Sequence, residues 1–432
     1  PLRLNPRCVP LGADWGNGML LTPFLQVTEL AGWLSRPLEN LPLSSNTVLR
    51  IFLEDTDDVL NTEPSQLTIN GIIDQPPELD VECFGIGEYI TPRAQIPVRG
   101  TITDDFGVAK ARFEFQLTDD KNQLLSGPDW ITRDFENPPT TEPKIHTLKT
   151  GTDTAEPEDD EEFERFDVTQ ILFQEAAGPR GVRVGDVLHL TVYVEDGDNI
   201  NGPHIVRQKP KPEYIFKIVS PDELMAILSQ KELGLLTRFQ QIKTEVEGVQ
   251  KDLTSAGSEL EALNTLRANN PNASLEDEES FKAVTATSAR SIQQVGKNEG
   301  ETGAVLASWR DIIAELDNNQ MTSVDRTLHQ DVIRILERIY KSDFSEVRDD
   351  LNQLRDVHTR NADATEQLAQ CNQSVANLLS DIDKAIEVMD LLVGIHVMTK
   401  ELKDIIEGTE AAKQQSAKEA IKQLEELNKL LE

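Results

Sequence analysis

The feature that most constrains this chain is a change of apolar period at Ser220. Before it, prolines and glycines are frequent and apolar residues alternate. After it, prolines almost vanish and apolar residues recur every three and four positions. Alternation is the pattern of a half-buried strand, and the three-four spacing is the pattern of a helix with one buried stripe. The chain therefore reads as β plus α, with the switch written in local chemistry. Ser220 is a helix N-cap, Pro221 suits the first helical position, and Glu223 completes a capping box. Asp222 and Glu223 also favour the positive end of the helix dipole.

Downstream, Leu235, Phe239, Ile242, Val246, Val249, Leu253, Ala256, Leu260 and Leu263 follow one another at spacings of 4-3-4-3-4-3-4-3. That holds a single apolar seam over about four heptads and marks these residues as an interaction seam. The segment RANNPNA ends the helix. Val305, Trp309, Ile312 and Leu316 form a second seam, broken by DNNQMTS. Leu328, Val332, Ile335, Leu336 and Ile339 form a third, and Val375, Leu378, Ile382, Ala385, Met389 and Leu392 a fourth. Short loops between long helices favour antiparallel neighbours. Residues 220–432 are thus expected to be a helical bundle or an antiparallel coiled coil. The seams can close within one chain or across a dimer, and periodicity does not distinguish the two.

The first half reads as two β-rich modules. In residues 1–75, NTVLRIFLED and SQLTINGIID are strands joined by TDDVLNTEP, and DQPPELD is a linker. In residues 76–219 the strands are ELDVECF, QIPVRGTI, AKARFEFQL, FERFDV, VLHLTVYVE and EYIFKIV, with an acidic loop insertion over about 119–162. The third alternates most cleanly: Ala109, Ala111, Phe113, Phe115 and Leu117 face a core, and Lys110, Arg112, Glu114 and Gln116 face water. Short strands separated by turn residues suggest an immunoglobulin-like β-sandwich.

Composition narrows the classes of function. With 432 residues the chain has room for several units. A net charge of −34, from 76 acidic against 42 basic residues, repels phosphate backbones and argues against nucleic-acid binding. Cys8, Cys83 and Cys371 are too few and too widely spaced for a disulfide framework or a metal motif. No run reaches the 18–20 apolar residues that span a bilayer, so membrane attachment would need a segment outside this sequence. The sequence opens at Pro1 rather than Met, as expected of a processed chain or a piece of a longer one.

Chemistry is sparse. Asp105-Phe106-Gly107 matches the metal-holding triplet of protein kinases. The Gly-rich loop, strand lysine and His-Arg-Asp loop that a kinase needs are absent, so the triplet reads as a turn. Asp-rich strand ends supply candidate calcium ligands: Asp55, Asp57 and Asp58 in one, Asp196, Asp198 and Asn199 in another, although Asp and Asn also simply make turns. His396 follows Leu392 on the fourth seam and reads as a packed or interface histidine. No catalytic motif is recognised, and aromatic residues, at 5%, give little material for a sugar-stacking cleft. The chain thus reads as non-enzymatic and cofactor-free, with a calcium-dependent adhesion or binding module as the alternative.

Three stretches carry a family resemblance: GTITDDFGVAKARFEF, LTVYVEDGDNINGPH and IVSPDELMAILSQKEL. Together they resemble landmarks of large envelope proteins of planctomycete-type bacteria, a family without an assigned activity. The matching positions are Asp104, Asp105, Phe106, Gly107, Asp196, Asp198, Gly202, Pro203, Ser220, Pro221, Glu223 and Leu224. FLEDTDDVLNTEP is similar to the Asp-rich turn of the preceding module. The resemblance covers about residues 47–265, and the later helices match only as generic coiled coil. It implies an extracytoplasmic, membrane-anchored location in the cell envelope and carries no catalytic residues. The expected role is structural or protein-interacting, with β modules as spacers and helices as a docking or self-association arm.

Overall fold

The computed structural model describes residues 74–105, 107–136, 164–175, 178–197, 203–208, 213–270, 275–321 and 326–431, Glu63, and the short strands at 19–21, 41–43, 46–51, 65–70 and 146–148. It is a β plus α protein. The early strands form two antiparallel pairs: β1 (Met19–Leu21) with β2 (Leu41–Leu43), and β3 (Asn46–Ile51) with β4 (Ser65–Asn70).

The following strands build two sheets around one core. In the first, β7 (Gln95–Thr103) pairs along one edge with β5 (Glu78–Cys83), and along the other with β10 (His146–Leu148) and β11 (Glu164–Asp167). The second runs β6 (Tyr89–Ile90), β16 (Tyr214–Ile218), β14 (Val187–Asp196), β8 (Val108–Thr118) and β9 (Ile131–Asp134), with β15 (Ile205–Arg207) also on β14. The β6–β16 pair is parallel. A separate hairpin joins β12 (Leu172–Glu175) and β13 (Gly178–Gly181). The two sheets meet through aromatic rings: Phe166 of β11 sits edge-on to Phe113 and Phe115 of β8, at 5.3 and 5.1 Å. Such pairs add to the apolar burial that holds the layers together.

Strand β8 departs from clean alternation at Ala109, at Glu114 and at its end, where Thr118 is buried next to Leu117. Ala109 is exposed and Val108 is buried instead, because β14 shifts register between Glu195 and Asp196. A bulge of this kind leaves one residue without a partner. Glu114 is buried rather than in water: Arg112 and Arg207 both reach its carboxylate at 2.9 Å, and both guanidiniums lie over the Tyr193 ring. The Asp104–Gly107 segment is the β7–β8 turn. The Gly107 amide donates to Asp104 Oδ2, and Gly107 has φ of 109°, a region that favours glycine.

Four helical rods follow: α1 (Pro221–Asn269), α2 (Glu279–Asn318), α3 (Thr327–Arg338) continuing through a π turn at Ile339–Asp343 into α4 (Phe344–Thr359), and α5 (Thr365–Leu431). Ser220 caps α1, its side chain accepting from the Glu223 amide at 3.1 Å. The α1–α5 bridges run Asp222–Lys403, Lys243–Asp383 and Asn264–Thr365, so one helix rises as the other falls. Arg238–Glu301 and Glu245–Lys297 show the same antiparallel order between α1 and α2. The short connections leave this as the natural arrangement.

The bundle core is continuous along the seams. On α1, Leu236, Phe239, Ile242, Val246, Val249, Leu253, Ala256, Leu260 and Leu263 are buried. Leu235, expected to open the seam, is only half-buried, and the stripe reaches Leu236 instead through Leu228 and Glu232. On α3 His329, Val332 and Leu336 are buried, with Leu328 and Ile335 half-buried beside them. The π turn inserts one residue between Ile339 and Phe344, which keeps α4 in phase with α3.

The β-rich part is fastened to the bundle at the end of α2. Val219, Leu224, Leu228, Ile312, Leu316 and Met321 form a small apolar cluster there. Asn319, 1% exposed, accepts the Thr91 amide on its side chain at 2.7 Å, and its own carbonyl accepts the Thr91 hydroxyl at 2.9 Å. Asn318 donates to the Gly85 carbonyl at 2.7 Å. Asn319→Ala leaves the Thr91 amide unpaired in a dry setting and is expected to cost about 1–3 kcal/mol in urea unfolding. A loss below about 0.5 kcal/mol would show that the junction does not depend on this pair.

Candidate functional site

Three features of the described residues carry chemistry. The first is a buried cluster of Glu232 on α1, His329 on α3 and His396 on α5. Glu232 lies one turn after Leu228 and one before Leu236, so helical spacing aims it into the core stripe. His329 Nε2 stands 2.9 Å from Glu232 Oε1, and His396 Nδ1 stands 2.7 Å from Oε2. The side chains of Glu232 and His329 are 0% exposed and that of His396 is 12% exposed. Trp309 packs edge-on to the His329 ring at 5.9 Å. Burial raises the Glu232 pKa, but the hydrogen bonds and charge interactions from His329 and His396 outweigh it and hold the group below its ordinary value. Each helix thus contributes one polar side chain to a single point in an apolar core.

The second feature contains Asp196, one of the calcium candidates. Asp196 is joined by Asp74 and His204. Its Oδ1 accepts the His204 amide at 3.0 Å and its Oδ2 accepts from His204 Nδ1 at 2.7 Å. Both oxygens are therefore engaged in pinning the β14–β15 connection, and imidazole is not the hard oxygen ligand that calcium prefers. Asp55, Asp57, Asp58, Asp198 and Asn199 lie outside the described residues.

The third feature is the outer face of α5. The fourth seam, from Val375 through Leu392, is buried, and its next position is His396. A second row begins as that seam ends. Leu391, Ile395, Met398, Leu402 and Ile405 are 54, 40, 58, 60 and 64% exposed and are spaced 4-3-4-3. The apolar stripe thus changes face where α5 runs out along the start of α1, and Lys403 pairs with Asp222 there. The helix continues to Leu431, so the 28 residues after Lys403 would extend roughly 40 Å at the usual helical rise.

The interaction seam predicted on α1 does not lie on this outer surface. Phe239, Ile242, Val246, Val249, Leu253, Leu260 and Leu263 pack inside the chain's own bundle. Two residues that sequence reasoning passed over, Glu232 and His329, lie at core positions of helices with otherwise apolar stripes. A charged residue at a four-residue interval between two leucines was the available signal for Glu232.

No protein-family model matches this sequence, and no curated protein matches it. Among the described residues no helix is long and apolar enough to cross a membrane.

The carboxyl of Asp343, the last residue of the π turn, is also perturbed. Burial, and then the neighbouring Asp381 carboxylate, push Asp343 from 3.8 up to about 6. Asp381 itself is held by Arg338 at 2.5 Å and Lys384 at 2.7 Å. The fold favours protonated Asp343, so this contribution is complete below the ordinary Asp range and is lost as pH rises through about 6. Asp343→Asn is expected to raise the urea midpoint at pH 8 and to give no gain at pH 4. Equal shifts at both pH values would contradict the assignment.

Proposed function

We propose that this chain is a non-catalytic structural and protein-interaction component of a bacterial cell envelope. In this reading the two facing sheets are an immunoglobulin-like spacer, and α5 is the arm that meets a protein partner or a second copy of the chain. The observation that carries the reading is the exposed row Leu391, Ile395, Met398, Leu402 and Ile405. Its 4-3-4-3 spacing is that of a helix–helix seam, yet it lies outside the chain's own core. Contiguous exposed apolar surface of this kind marks interaction sites in soluble proteins.

Other features support the same class. The net charge of −34 works against nucleic acid and anionic lipid surfaces as partners. The direct passage from β16 into the capped α1, with the Asn319–Thr91 clamp, couples the two parts as a spacer and arm require. The envelope location rests on the resemblance of residues 47–265.

The triple substitution Met398→Glu, Leu402→Glu and Ile405→Glu tests the arm. It touches exposed positions only, so the melting temperature is expected to stay within a few degrees of the parent. Self-association by light scattering, or cross-linked partner recovery from the native cells, is expected to be lost. If the triple variant keeps every association of the parent chain, α5 is not the docking element.

A further inference from the structure

We propose that Glu232, His329 and His396 form a site for a divalent transition metal of the zinc type. The ion would tie α5 to α1 and α3 near the point where α5 outruns the bundle. This inference is independent of what α5 docks against.

The donor set is a carboxylate and two imidazoles brought together from three helices. Their ligand atoms all lie within 4.8 Å of one another. The two imidazoles do not share one oxygen. His329 Nε2 stands beside Oε1 at 2.9 Å and His396 Nδ1 beside Oε2 at 2.7 Å. Two donors about 2.1 Å from one metal and at right angles to each other stand roughly 3 Å apart. A carboxylate binding through both oxygens, with an imidazole next to each, therefore needs only small movements from the arrangement seen.

Charge points the same way. Among the described residues no lysine or arginine pairs with Glu232. The adjacent Lys231 is engaged by Glu315 at 2.7 Å. A carboxylate with no exposed surface needs a countercharge, because desolvation is costly and apolar surroundings return nothing. That countercharge is either a proton on an imidazole or a bound cation. A simple ion pair requires one imidazole, and here there are two, one on each oxygen. Mixed imidazole and carboxylate donors suit zinc and its neighbours and discriminate against calcium and magnesium, which prefer oxygen alone. With three protein ligands the ion keeps room for water, and the slightly exposed His396 side is the natural place for it. The surroundings are Trp309 and the bundle core, so the ion's role would be to fix helices rather than to meet a substrate.

The test uses the untagged full chain, stripped with chelator and titrated with Zn2+ by calorimetry, with melting temperature followed in parallel. One equivalent of Zn2+ is expected to bind with micromolar or tighter affinity and to raise the melting temperature, while Ca2+ and Mg2+ do neither. His396→Gln, at the least buried ligand, is expected to keep the helical circular dichroism of the parent and to weaken Zn2+ binding at least tenfold. Co2+ is expected to give visible absorption bands in the parent that His396→Gln and His329→Gln both lose. Absence of Zn2+ binding in the parent would overturn the proposal and leave the cluster as a proton-shared helix latch. Equal Zn2+ affinity in the parent and both histidine variants would overturn it too, by placing the bound ion elsewhere.

Discussion

The structure depends on covering one stripe. Helix α1 is 49 residues long and carries an apolar seam along most of its length. Such a helix is not stable alone in water, because its stability comes from packing that face. Two elements of the same chain cover it. Helix α2 returns antiparallel along one side and α5 along the other, and α3 with α4 closes the ring between them. The acidic surplus is left on the outer faces, where bridges such as Lys243–Asp383 and Glu245–Lys297 fix register more than they add stability.

Closing the seam internally shapes what remains for function. The residues with the strongest heptad spacing are consumed by the fold. What is left over is the second row on α5, which begins at Leu391 as the first row turns polar at His396. The buried Glu232 cluster sits at that transition. The same few turns of α5 therefore hold the last internal contact, the polar tie to α1 and α3, and the first exposed apolar positions. The Asn319–Thr91 pair and the cluster around Leu224 and Leu316 seat the sheets on the bundle.

Much of this was legible in the sequence, and the misses have physical causes. The Ser220 cap and the strands QIPVRGTI, AKARFEFQL and VLHLTVYVE rest on local chemistry, and the structure has them. The first half of α2 was not legible, although its buried positions repeat at three and four without a break. They are Phe281, Val284, Ser288, Ser291, Val295, Asn298, Thr302 and Val305, and the small polar ones carry no hydrophobic signal. Ser288 and Thr302 hide their hydroxyls by donating to backbone carbonyls one turn back. Ala109 was misplaced because it is the extra residue of a bulge in β8, opposite the Glu195–Asp196 step of β14, and alternation along one strand does not report a bulge. Leu235 and Leu236 are adjacent apolar residues, and the choice between them depends on where Glu232 finds its histidines. That cluster joins residues 97 and 164 positions apart, a distance no local pattern reports.

The central claim is that the α1 seam is closed within one chain while the outer row of α5 is left open. Hydrogen exchange along the full chain at several protein concentrations tests it most directly. The account predicts strong, concentration-independent protection of residues 236–263 and 368–392, and rapid exchange beyond Lys403 in dilute protein. Protection of 236–263 that appears only as concentration rises would contradict it, because the seam would then be closing between chains.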